Sequence, residues 1–155
     1  MRPALPAFFL IAVATACGGG SEDPGDDQAP VNCEDSGADM FTAGMTKSGM
    51  NGQLQFQLVS STPAPPARDD NTWVVKVLDG QNAAVAGANV VASPYMPLHR
   101  HFGIPKEVTG TDLSEGRYEL DPVNLWMPGV WEITVEATPA GGTKDLAVFS
   151  FCIPG

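Results

Sequence analysis

The sequence contains two histidines, and they stand two residues apart in Met96-Pro97-Leu98-His99-Arg100-His101-Phe102-Gly103. On an extended segment, side chains two apart point to the same side, roughly 6–7 Å apart along the backbone. His99 and His101 can then serve one ion. Neutral imidazole suits zinc, copper and nickel, and a thioether is a soft ligand that selects Cu(I). Met96 precedes the pair, and Met127 occurs in a second Met-Pro setting, Met127-Pro128-Gly129. Met96, His99, His101 and Met127 are therefore the candidate ligands of a copper ion. A plainer use of the same residues stands against this, with both histidines on a surface loop and both methionines filling gaps in a core.

Three cysteines are the other reactive side chains. The first, Cys17, follows a charged start at Arg2, an apolar run from Ala4 to Ala16, and the small-residue stretch Ala14-Thr15-Ala16. This pattern marks residues 1–16 as a signal peptide, and the run is shorter than the about 20 apolar residues that span a bilayer. Cys17 and the three glycines after it resemble a bacterial lipoprotein signal, cleaved before a cysteine that takes the lipid. Ala14 departs from that pattern, since leucine is usual three positions before the cysteine. Simple secretion after Ala16 is the alternative. A lipid on Cys17 would hold the chain to a membrane without a span, which places the protein in the cell envelope, facing the periplasm or the exterior. Residues 17–31 hold four carboxylates, several glycines and prolines, and almost nothing to bury, so they read as an acidic, disordered linker.

Cys33 and Cys152 remain, near the two ends of the part expected to fold. In an exported, oxidising setting they are expected to form a disulfide. The rival is a zinc site that joins both thiolates to His99 and His101, but no Cys-x-x-Cys spacing supports it.

The elements that must position these residues are strands. Leu54, Phe56 and Leu58 alternate with Gln53, Gln55 and Gln57, which gives a strand with one wet face. Pro63, Pro65 and Pro66 make the next segment an extended loop. Thr72–Leu78 is rich in β-branched and aromatic residues and reads as a second strand, closed by the turn signal Asp79-Gly80. Ala84–Ser93 supplies one or two short strands broken at Gly87. Further strands are expected over Val108–Leu113 and over Arg117–Val123, with Tyr118 and Leu120 on one face. In Val130–Ala137, Trp131, Ile133 and Val135 point inward, and Leu146–Ile153 closes the domain. Met40, Met45 and Met50 lie five apart, a spacing that fits neither a helix face nor a strand face. Asp39–Asn51 is expected to be a short helical turn or a covering loop, its methionines gap-fillers. Without sustained helical periodicity, residues 32–155 are expected to form one all-β domain, an antiparallel β-sandwich of about seven strands.

Four motifs occur in order over the second half: Val85-Ala86-Gly87-Ala88-Asn89-Val90, Met96-Pro97-Leu98-His99-Arg100-His101, Gly116-Arg117-Tyr118, and Met127-Pro128-Gly129-Val130-Trp131. Together, over Asp79–Gly155, they resemble the YtkA-like domain family, small exported bacterial domains related to FixH. The resemblance implies an immunoglobulin-like sandwich, and FixH is linked with assembly of copper-containing respiratory oxidases. It also implies that metal-type positions fall on Met96, His99, His101 and Met127. Arg100 and Phe102 depart from the family, where small residues are usual, and a cation beside a metal is unfavourable at close range. On an extended segment Arg100 would point to the opposite face. Ser114-Glu115-Gly116-Arg117-Tyr118 is similar to the corner in such sandwiches where a tyrosine ties the turn back to the backbone.

Eighteen acidic residues face eight basic ones, for a net charge of −10 that becomes −11 when Arg2 leaves with the signal. Such a surface repels polyphosphates, so a nucleic-acid partner is not expected. No nucleophile motif, phosphate-binding glycine loop or metalloprotease signature occurs, and an enzyme is not expected. The sequence thus points to a membrane-tethered protein that holds copper or delivers it to an accepting envelope protein. A metal-free interaction or structural module of the envelope is the alternative.

Overall fold

The computed structural model describes residues 31–155 together with Met1; the predicted signal peptide, Cys17 and the linker through Pro30 lie outside the described residues. Among the described residues ten strands follow one another: β1 (Met45–Ser48), β2 (Leu54–Thr62), β3 (Asp69–Asp79), β4 (Asn89–Met96), β5 (His101–Phe102), β6 (Val108–Thr109), β7 (Thr111–Asp112), β8 (Arg117–Leu125), β9 (Gly129–Thr138) and β10 (Asp145–Ile153). They pair antiparallel in two sheets. One runs β1-β2-β3-β8-β7, and the other β10-β9-β4-β5 with β6 also on β4. This is the expected all-β sandwich.

Period-two alternation decides which faces meet. Leu54, Phe56 and Leu58 from β2, Trp73, Val75 and Val77 from β3, and Trp131, Ile133 and Val135 from β9 are all buried in one core. The ring of Trp73 meets Phe149 and Phe151 edge-on, with centroids 6.1 and 5.6 Å away.

Three local expectations change. Part of Asp39–Asn51 is neither helical nor a loop but the edge strand β1, paired with β2 from Met45↔Leu58 to Ser48↔Gln55. Met45 packs on the core while Met40 and Met50 are exposed, so tertiary pairing wins over a spacing with no period. Val108–Leu113 is not one strand but two. Chain direction passes from the second sheet to the first at Gly110, where a Cβ would sit 3.2 Å from Tyr118 and 3.3 Å from Val90. Finally, the Tyr118 hydroxyl does not tie down its own turn. It donates to Val85 O at 2.8 Å and accepts from Ala88 N at 2.9 Å, pinning the connection into β4.

The N-terminal segment is held along β10. Asp39 N donates to Ser150 O (2.7 Å), Ser150 N donates back to the Asp39 carboxylate (2.8 Å), and Cys33 is bridged to Cys152. The expected disulfide thus fastens the start of the domain to its last strand, across a sequence separation of 119.

Candidate metal site

The site forms at one end of the sandwich, where two connections come together. One is the β4–β5 turn and the other the passage from β8 to β9. In the first, Met96 and His101 are direct partners in the ladder, and Arg100 N donates to Met96 O at 2.8 Å. Arg100 takes a left-handed φ of 55° to close this turn. The histidines are therefore not neighbours on one face of an extended strand. His99 sits on the exposed turn and His101 on β5. The reversal at Arg100 still leaves their rings roughly stacked, with centroids 5.9 Å apart.

His101 is the centre of the cluster. The Trp126 ring stacks on it at 4.7 Å, and Trp131 meets it edge-on at 5.4 Å. Between the two indoles the imidazole is oriented so that Nε2 lies 3.0 Å from Met127 Sδ. At the far side of the ring Nδ1 lies 3.3 Å from Phe102 O. With the proton on Nε2 this contact is a hydrogen bond to the thioether; with the proton on Nδ1, Nε2 turns its lone pair toward the sulfur, and two electron-pair donors face one point. Metal–ligand bonds to nitrogen and sulfur run about 2.0–2.3 Å, so both atoms reach one ion.

The backbone around Met127 is fixed on both sides. Trp131 Nε1 donates to Met127 O at 2.9 Å, and Arg68 Nε donates to Trp126 O at 3.0 Å. Met96 is fully buried, and its Cε would lie 2.8 Å from a Cβ at residue 129. Gly129, at φ 134°, is the residue that lets this methionine lie under the connection. The four residues singled out by the sequence thus divide. His101 and Met127 touch, His99 stands one ring away in the open, and Met96 lies beneath in the core.

His99 also lines an open cavity of about 750 Å³ shared with Val31, Leu98, Pro128, Val130 and Glu132. Two features here carry no sequence signal as site residues. Glu132 reads as an outward position on β9, and Val31 comes from the far end of the chain. Trp126 and Trp131 show only their proximity to Met127 in sequence; their bracketing of His101 depends on both sheets. Among the described residues no three His, Cys, Asp or Glu side chains converge on one point. A multidentate site here must draw on the thioethers, and that donor chemistry fits a soft ion.

The same stretches are those matched by the model of the YtkA-like family, which covers residues 50–136. The chain belongs to the YtkA-like family. The match runs from before β2 into β9 and so includes both connections of the site, while β1, β10 and the Cys33–Cys152 bridge fall outside it. No curated protein and no solved structure matches this YtkA-like chain.

Proposed function

We propose that this YtkA-like protein is an exported lipoprotein, anchored through Cys17, that binds copper as Cu(I) and holds it or passes it to an accepting envelope protein. His101 and Met127 form the central donor pair, His99 is the third donor, and Met96 supports the site from below. The observation that carries this reading is the 3.0 Å approach of His101 Nε2 to Met127 Sδ, with the imidazole held between two indoles. An imidazole on β5, a soft thioether on the β8–β9 connection and one donor on a turn suit an ion that must be held and then released. The turn donor can leave first and admit an incoming ligand. The acidic charge of the whole chain argues against a nucleic-acid partner.

A Cu(I) titration of the exported chain carrying Cys17→Ser tests this, with tryptophan emission as the readout, since Trp126 stacks on a proposed ligand. One equivalent is expected to bind. Met127→Leu roughly conserves volume, and such exchanges usually cost less than about 1.5 kcal/mol of stability. It removes the sulfur, so it is expected to weaken Cu(I) binding while the fold persists. Unchanged affinity would remove Met127 from the site. Absence of binding by the parent chain would favour a metal-free interaction module, a reading supported by the exposed Leu98 and Ile104 beside the histidines.

A further inference from the structure

A second open cavity, of about 640 Å³, has the Cys33–Cys152 bridge in its wall. Phe41, Pro63, Pro65, Pro66 and Phe151 make the rest of that wall largely apolar. Its two charged groups are engaged: Asp39 pairs with Lys47 and accepts from Ser150 N, and Arg68 donates to Trp126 O. Both cysteines are partly exposed. Among the described residues, the bridge is also the one covalent or hydrogen-bonded tie between residues 31–38 and the sandwich. Every hydrogen bond of that segment closes on itself, from Glu34 N to Asn32 Oδ1, from Ser36 N and Oγ to Cys33 O, and from Ala38 N to Ser36 Oγ. Hydrogen bonding to β10 begins only at Asp39, and apolar packing on the core only at Phe41.

What the bridge holds in place is a wall of the cavity at His99. Cys152 pairs with Val130 and Ser150 with Glu132 across the β9–β10 ladder. These residues alternate with buried ones, so they face outward. Val130 and Glu132 line the His99 cavity, and Val31 and Ser36 from the bridged segment complete it. Ser36 lines both cavities. We infer that Cys33–Cys152 is a redox latch: a dithiol protein of the envelope reduces it through the 640 Å³ cavity and frees residues 31–38, which uncovers the outer face of β9 beside His99. A thiolate of the reductant attacks one sulfur of the bridge, and the other cysteine leaves as a thiolate. The second thiol of the reductant then closes on the mixed disulfide. The reductant ends as a disulfide, and its two protons end on Cys33 and Cys152. The sandwich stays folded, because the freed segment contributes neither a strand nor a core side chain. The inference does not need the copper reading; the two meet only at His99, a donor in that reading and a wall of the uncovered cavity.

The test uses the Cys17→Ser chain, which leaves only these two cysteines, without copper and with reduced thioredoxin as the dithiol probe. Alkylation followed by mass spectrometry reads the free thiols. Exchange through the cavity of the folded protein predicts a reduction rate that rises in proportion to thioredoxin, with no plateau. Trp73 and Trp131 are fully buried, so unchanged tryptophan emission after reduction shows that the core stays packed. Release of the segment is read by a glutamate-specific protease. Cleavage after Glu34 should be slow in the bridged chain and fast in the reduced one, and Cys33→Ser with Cys152→Ser should match the reduced rate without any dithiol. A reduction rate that levels off as thioredoxin increases would mean that the bridge opens only after unfolding, and overturns the latch. So does a red shift of emission on reduction, and so does cleavage after Glu34 that is equally fast with the bridge intact. None of these readouts involves copper, so failure of the latch and failure of the copper reading are told apart.

Discussion

Asp145 is a buried carboxylate without a counter-ion among the described residues, and replacing it tests how this domain is held shut. Its side chain accepts four backbone N–H groups: Asn51 N and Leu146 N at Oδ1, both at 2.9 Å, and Gln53 N (2.9 Å) and Leu54 N (3.0 Å) at Oδ2. One carboxylate thus ties the β1–β2 turn to the start of β10. Burial by itself pushes its pKa up, but the four donors outweigh that and hold it below the usual aspartate value. Asp145→Asn keeps the shape and replaces one acceptor oxygen by an NH₂ group. Two backbone N–H groups then face donors instead of an acceptor. Each buried donor left unsatisfied costs about 1–3 kcal/mol, so the variant should lose about 2–6 kcal/mol. Urea unfolding at neutral pH, with the disulfide intact, measures this. The pH dependence gives a second check. Because the folded pKa lies below the unfolded value of 3.8, the carboxylate's contribution is fully present above about that pH and is lost as pH falls through the folded pKa. The gap between parent and variant should therefore narrow only in acid. A variant within about 1 kcal/mol of the parent at neutral pH, or a gap that does not change in acid, would refute the clamp.

Two further outcomes follow from other ties. Reducing the Cys33–Cys152 bridge, which spans 119 residues, should remove about 4–5 kcal/mol by chain-entropy estimates. Paired melts with and without reductant should show this, and equal melting temperatures would contradict it. Tyr118→Phe removes the hydroxyl that Val85 O and Ala88 N share, for an expected loss of about 1–3 kcal/mol. Burial raises the Tyr118 pKa above 10.0. Its stabilisation is therefore complete below that pH and fades as pH rises through the folded value, so alkaline unfolding should separate parent from variant least at high pH.

The site was legible in part. The donors His101 and Met127 are visible in the sequence because both stand in Met-Pro contexts, and the structure brings these two into contact. The geometric reason for expecting the histidines to act together was different from the one found. An extended segment was expected, but Arg100 adopts a left-handed φ and the pair straddles a turn. Nothing local distinguishes Met96, buried beneath Gly129, from Met127, half-buried at the rim, although both are methionines next to proline.

What the sequence determined by itself is the local alternation. In Val130–Ala137 and in Leu54–Leu58 every second residue is apolar, and a pleated strand can only place such residues on one face. Two sheets with one apolar face each must then pack those faces together. The only two cysteines within the domain likewise left one pairing. Tertiary structure alone decided which residues distant in the chain meet. The Trp126 stack on His101, the 26-residue span from His101 to Met127, and the grip of Asp145 on residues over 90 positions away depend on which strand edges adjoin. That order follows from where the described chain crosses between sheets, between β3 and β4, at Gly110 and at Trp126-Met127-Pro128, and period-two alternation is the same whichever neighbour a strand takes.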